Sequence, residues 1–250
     1  MGKTMISWAD KSLNFYNWYC TKISAGCKNC YMFAMRKQFD RNPDHLEWRE
    51  TAMKEYHALK PGEVVFINSM SDTYHETAPL EWIQRIHILI AGKPDVRFLI
   101  LTKRPYRALM IKRLVLWPDN LWLGVSVENQ DNLWRIDDLC ELPAARKFIS
   151  AEPLLEDLSV GMGPYMKHLL DDIRWLIVGG ESGPNRRPFD KRWAIELQDL
   201  CHETGIHFTF KQGSHRLPGR DKTLDGETYL STPFVHIPGG IGSERDRVDY

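Results

Sequence analysis

The sequence predicts an α/β chain folded as a partial or complete (β/α) barrel of about six parallel strands. Three observations carry this: short apolar runs recur along the chain, helically patterned segments lie between them, and polar residues follow each run directly. Continuous apolar runs of this length read as strands buried on both faces, as in a parallel sheet. Alternation of strand and helix implies parallel βαβ units. Periodicity alone does not show closure, so an open doubly wound sheet is the alternative.

In chain order the runs are Val64–Ile67, Phe98–Leu101, Leu121–Val127, Lys147–Ser150, Trp175–Val178 and His207–Phe210, with a further strand expected near Met5–Trp8. Leu80–Ala91 and Arg192–Glu203 place apolar residues at helical spacing between them. Residues 1–236 read as one α/β domain. Within it, residues 35–60 are helical in pattern and rich in charge, which suggests a helical insertion covering the loop that precedes it. From Ile237 the Pro-Gly-Gly-Ile-Gly-Ser run and alternating charges read as a flexible tail, 237–250.

Apolar residues make up 43% of the chain and charged residues 26%, the balance of an ordinary soluble domain. Neither a spanning segment nor a signal peptide is visible, so a cytoplasmic protein with no membrane partner is expected. In that compartment the five cysteines are reduced thiols or metal ligands. With a formal net charge of zero, any basic surface must be local.

Residues that follow the runs are the informative ones. Asn68, Ser69 and Asp72 follow the first run, Lys103 and Arg104 the second, and Glu128 the third, whose own Ser126 is polar. Glu152 follows the fourth, Gly179-Gly180-Glu181 the fifth, and Lys211 the last. Active sites of barrels and open α/β sheets gather at the C-terminal ends of the strands. The plainer reading is that strand ends turn polar where they meet water.

Cys20, Cys27 and Cys30 lie within one short loop, spaced C-x6-C-x2-C. Three thiolates can hold three corners of a metal centre and leave a fourth open, as a catalytic site requires. The polar residues between them (Thr21, Lys22, Ser24, Lys28, Asn29) suit an exposed loop better than buried, incidental cysteines. Cys140 and Cys201 sit beside leucines in helical patterns and read as small core residues. Zinc would need a fourth ligand, and His45 and His57 fall into no paired spacing. An iron–sulfur cluster tolerates the irregular spacing better.

The chain resembles a phage-associated three-cysteine family within or close to the radical S-adenosylmethionine superfamily. The resemblance spans about residues 5–213. It rests on the segments Thr21–Tyr31, Phe66–Asp72, Leu101–Pro105, Trp122–Asn129, Ser150–Leu155, Gly179–Pro184 and Phe210–Gln212. The common loop of that superfamily is C-x3-C-x2-C with an aromatic before the third cysteine. Here the first gap is longer, Asn29 occupies the aromatic position, and Tyr31 follows.

The resemblance implies a radical-SAM-like barrel in which Cys20, Cys27 and Cys30 ligate a [4Fe-4S] cluster and S-adenosyl-L-methionine completes the open iron. Such an enzyme generates a 5′-deoxyadenosyl radical and takes electrons from a flavodoxin-like or ferredoxin-like donor. Cofactor contacts are then expected from Tyr31, Asn68, Ser69, Asp72, Lys103, Arg104, Ser126 and Glu128. Glu152, Glu181 and Lys211 are left to face substrate as catalytic candidates. The cations Lys103, Arg104, Arg107, Lys112, Arg113, Arg186, Arg187, Lys211, Arg216, Arg220 and Lys222, interleaved with Tyr106 and Phe189, suggest a local basic face. A DNA or other nucleic-acid substrate, with base modification or repair as the reaction, follows as the expectation. Two further readings stand beside it: a zinc-stabilised nucleic-acid-binding module without catalysis, and a redox or structural cluster protein.

Overall fold

The structure is a computed structural model and describes residues 6–41, 43–168 and 172–234. Its centre is a seven-stranded parallel sheet of β1 (Lys11–Leu13), β2 (Val64–Ile67), β3 (Arg97–Thr102), β4 (Leu121–Ser126), β5 (Arg146–Ala151), β6 (Ile173–Gly179) and β7 (His207–Gln212). The strands lie side by side in chain order. Right-handed crossovers between successive parallel neighbours put every crossover on one face. The sheet curls away from that face into a half-barrel, and β1 and β7 remain its two edges.

The first strand is not at Met5–Trp8. Pairing begins at Lys11–Leu13, opposite Val65–Ile67 of β2, while Ile6–Trp8 forms no strand and Met5 lies outside the described residues. The difference is physical: β1 is a short edge strand of mixed polarity, so it shows no apolar run. Trp8 is apolar because its ring packs inside the half-barrel, 4.7 Å from Phe66.

Side-chain alternation divides each strand between two cores. Val65, Ile67, Phe98, Ile100, Leu123, Val125, Ile149, Leu176, Val178, Phe208 and Phe210 face the helical layer. Val64, Phe66, Leu99, Trp122, Phe148, Trp175 and Ile177 form a second cluster inside the curl, with Trp8 and Phe234. Burial on both faces is why these runs are continuously apolar. Gly124 of β4 sits inside the curl against the Phe148 ring, where an added Cβ would fall 2.4 Å from Cζ. Glycine there leaves room for the aromatic plug.

The helices are α1 (Tyr31–Gln38), α2 (Thr51–His57), α3 (Leu80–Ala91), α4 (Pro105–Met110), α5 (Trp134–Cys140), α6 (Ser159–His168) and α7 (Lys191–Thr204). Pro105 starts α4 at a first-turn position, where its missing N–H is not needed. Asp190 caps α7 by accepting the Arg192 backbone N–H. Residues 35–60 hold the end of α1, an irregular stretch and α2. Ala52 and Tyr56 of α2 are buried in the helical-side core, so this part of the segment packs on the sheet. Cys201 is fully buried in α7, and Cys140 ends α5. A two-residue hairpin of β8 (Thr223–Leu224) and β9 (Glu227–Thr228) follows β7. Tyr229 accepts the Phe210 N–H, which helps cover the β7 edge. The expected tail, 237–250, lies outside the described residues. Among those residues no helix is long and apolar enough to cross a membrane.

Candidate metal centre and strand-end cavity

The cysteine loop follows β1 and lies across the C-terminal ends of the strands, where three separate attachments hold it. Arg104, 1% exposed, donates from Nη2 to the Thr21 carbonyl at 3.1 Å and hydroxyl at 2.7 Å, and from Nη1 to Cys20 Sγ at 3.8 Å. Ser24 donates to Glu128 at 2.8 Å. Asn29 donates to Glu181 at 2.9 Å, and Arg187 bridges Glu181 to the Ala25 carbonyl. Gly26 permits the middle attachment: a Cβ there would lie 2.4 Å from Glu128 Oε1. The loop is thus fixed to β3, β4 and β6 by side chains at their ends.

Beneath it is a cavity of about 280 Å3, with Cys20, Cys27 and Cys30 on its wall. Tyr31, Asn68, Ser69, Asp72, Lys103, Arg104, Ser126, Glu152, Glu181 and Lys211 line the same space. Of the predicted site residues only Glu128 stands behind the wall, fully buried and paired with Lys103 at 3.1 Å and Arg135 at 2.8 Å.

Inside the cavity, charges are largely paired. Asp72 accepts from Tyr74 N, Thr102 Oγ1, Lys103 N and Arg104 Nη1, at distances from 2.7 to 3.1 Å. Arg104 also meets Glu76 at 2.7 Å, so its donors are committed to protein groups. Glu152 pairs with Lys211 at 2.8 Å and accepts from Ser150. Asn68 adopts a left-handed conformation (φ 54°). Its Oδ1 accepts from Phe15 N at 2.8 Å and Tyr16 N at 3.3 Å, while Nδ2 donates to Thr73. Tyr31 donates to the Ser69 carbonyl, joining α1 to the end of β2. Thus Asn68, Asp72 and Arg104 already bond protein groups, whereas Lys103 lines the cavity with Glu128 as its one ion partner among the described residues.

Titration follows these contacts. Burial pushes the Cys20 thiol up to about 12, the nearby Asp72 carboxylate adding to it against Arg104. Burial also raises Cys30. Cys27 goes the other way: burial opposes ionisation, but the Lys103 charge and hydrogen bonds from Ile23 and Ser24 outweigh it and hold the thiol below its ordinary range. Glu128 is likewise kept low against its burial, by Lys103, Arg135 and Ser24.

The expected basic face is neutralised in part, at five of its eleven cations. Lys103, Arg104, Lys112, Arg187 and Lys211 each meet a carboxylate. Arg107, Arg113, Arg216, Arg220 and Lys222 of that set form no ion pair among the described residues, and neither do Lys22 and Lys28 of the cysteine loop, Arg36 and Lys37 of α1, or Arg41 just after it. Lys22 and Arg36 sit over the Phe33 ring at 5.0 and 5.6 Å, and Arg41 over Trp18 at 4.7 Å.

Sequence reasoning missed Arg135, Ser71, Ser150 and Trp8. Arg135 lies in an amphipathic segment with nothing local to mark its partner. Ser71 lines the cavity, and its Oγ is buried with no hydrogen-bond partner. Among the described residues no three His, Cys, Asp or Glu side chains converge on a point as ligands of a single metal ion do.

The donors nevertheless fit a cluster. Three soft thiols line one cavity, cations lie beside two of them, and an orphaned hydroxyl shares that wall. A search of curated proteins finds no match. Among solved structures the chain is similar to a spore photoproduct lyase C140S mutant, with TM-score 0.54 and 11% identity over 86% of this chain and 78% of that one. At that identity the similarity is one of fold, and it matches the half-barrel. The model of the family described as protein of unknown function (DUF5131) matches residues 3–233, and the chain belongs to that family.

Proposed function

We propose that the chain is a radical S-adenosylmethionine enzyme whose Cys20, Cys27 and Cys30 hold a [4Fe-4S] cluster above the strand-end cavity. The observation that carries this reading is the convergence of all three thiols with ten predicted polar residues on one cavity of a half-barrel. Fold similarity to a lyase supports it further. When bound, the cluster and S-adenosylmethionine supply one-electron cleavage of a sulfonium and a radical able to abstract hydrogen from a substrate.

The chain's own residues hold and orient. The Arg104, Ser24–Glu128 and Asn29–Glu181 attachments keep the three thiols in place without a ligand to gather them. Lys103 is the cation for the cofactor carboxylate, because Arg104 has no donor to spare. Ser126 offers its hydroxyl to polar groups of the cofactor. Glu152 and Lys211, joined to each other, are positioned to accept or donate a proton at the substrate. The aromatic plug below excludes water from the floor. An electron donor of flavodoxin-like or ferredoxin-like kind and a nucleic-acid base as substrate complete the proposal. The unpaired cations and aromatics of Trp18–Arg41 support the latter.

Anaerobic reconstitution with iron and sulfide tests this. A brown protein bleached by dithionite, with iron and sulfide in the ratio of a [4Fe-4S] cluster and release of 5′-deoxyadenosine from S-adenosylmethionine, is expected. Cys27→Ala should lose both colour and cleavage. A colourless protein with stoichiometric zinc overturns the enzyme in favour of a zinc-stabilised module, and a cluster without cleavage leaves a redox or structural protein.

A further inference from the structure

The cavity changes character with depth. Its upper wall is polar, whereas Ile6, Trp8, Phe66 and Leu101 make part of it apolar and belong to the aromatic plug inside the half-barrel. Trp8 is 4% exposed. Its ring stands edge-on to Phe66 at 4.7 Å and perpendicular to Trp175 at 5.9 Å. Two of the three indoles in this plug differ in one respect. Trp175 donates its N–H to Thr209 Oγ1 at 2.8 Å, whereas the Trp8 N–H is buried with no acceptor.

A buried donor without a partner is rare, because its desolvation is uncompensated. An indole nitrogen can only donate, so what is missing at Trp8 is an acceptor. Ser71, which lines the same cavity, also carries a buried hydroxyl without a partner; the other such atoms among the described residues, on Trp48, Arg107 and Arg135, belong to residues outside the cavity lining. Aromatic walls favour a flat ring through edge and face contacts. One fixed donor plus one hydroxyl suits a ring carrying polar atoms on its edge. Cations on the cysteine loop and α1, Lys22 and Arg36 over the Phe33 ring among them, could meet phosphates on either side of such a ring.

We propose that the apolar floor holds the heterocycle of the substrate, a nucleobase presented by a single strand or extruded from a duplex, with a carbonyl or ring-nitrogen acceptor on the Trp8 indole N–H. This rests on the reading of the chain as an enzyme on nucleic acid and names the residues that select the base. Trp8 is then a specificity-determining residue. Ser71 offers its hydroxyl to a second polar atom of the same ring.

The test is fluorescence anisotropy with short single strands that are abasic except at one central position, so that phosphate contacts stay constant. That position carries each of the four bases in turn. For the tightest binder, it then carries a shape-matched ring with its acceptors replaced by fluorine or carbon. At least one base should bind about tenfold tighter than its isostere. Trp8→Phe should bring that ratio close to one while leaving the isostere's affinity unchanged. Equal binding of base and isostere by the wild-type protein overturns the proposal, as does equal binding of all strands including a fully abasic one. If Trp8→Phe does not fold, the wild-type ratio still decides. Displacement of the base by S-adenosylmethionine assigns the floor to the cofactor's adenine and also overturns it. Iron loading and 5′-deoxyadenosine release are measured separately, so failure here leaves the enzyme reading standing. Failure there leaves this binding result valid.

Discussion

The two faces of the half-barrel sheet are built from the same strands and solve different problems. The helix-facing side is apolar from Phe98 and Leu121 up to Val127 and Ala151. The inner side is aromatic at the level of Trp122, Phe148 and Trp175, and then turns polar: Ser126 follows Trp122 by four residues, and Ser150 follows Phe148 by two. One face supplies stability along its whole length. The other supplies stability only in its lower half and holds a prearranged set of charges above. Those charges are paired with one another across strands, so the cavity can be polar and still folded.

The sharpest break of this contrast is Arg104→Ala. It leaves Asp72 buried without its cation and frees the Cys20–Thr21 end of the loop. Removal of one partner of such a buried pair costs about 3–5 kcal/mol. Urea denaturation should show a loss of that order, together with loss of iron binding. If stability falls by less than about 1 kcal/mol, the upper wall does not depend on its ion pairs.

A second test addresses the helix-facing side through His87 of α3, which is buried between Tyr74 and Trp117. It accepts from the Tyr74 hydroxyl at Nε2 and donates from Nδ1 to the Leu116 carbonyl, the pattern of a neutral ring. Burial lowers its pKa to about 4, against an opposing contribution from Leu116. The unfolded chain titrates near the ordinary 6.5, so its stabilising neutral form is fully effective above that pH. Stability is lost as pH falls from 6.5 through 4, by about 3 kcal/mol in total. His87→Gln should flatten that part of the stability–pH curve, measured by denaturation at a series of pH values. An unchanged slope removes His87 as its source.

The smallest effect is expected from Ser150→Ala in the polar layer. It removes one hydrogen bond to Glu152, which keeps Lys211. Stability should change by about 1 kcal/mol or less. A loss comparable to that at Arg104 would show that the upper layer is as cooperative as the core.

Much of the sheet was legible because double-sided burial leaves a local trace. Val64–Ile67 and Leu80–Ala91 are both read at their observed bounds. The first strand was missed since an edge strand such as Lys11–Leu13 buries too little to be written as an apolar run. In the site, the three cysteines and the strand-end residues announce themselves by type and position. What they bond to does not. Lys103 and Lys211 read as cofactor and substrate contacts on a basic rim, but Glu128 from the neighbouring strand end and Glu152 from two strands away neutralise them.

By itself, then, the sequence determined the parallel α/β sheet, the thiol loop and the polar strand ends, because burial on two faces and residue chemistry are local properties. Tertiary structure alone decided that the curl stays open between β1 and β7 and that Arg104 clamps the loop while Lys103 faces the cavity. It alone showed that Trp8, far from any motif, lines the cavity and carries a buried N–H without a partner. Those outcomes depend on which side chains meet across tens of residues, and such meetings are set by strand register and curvature rather than by neighbours in the chain.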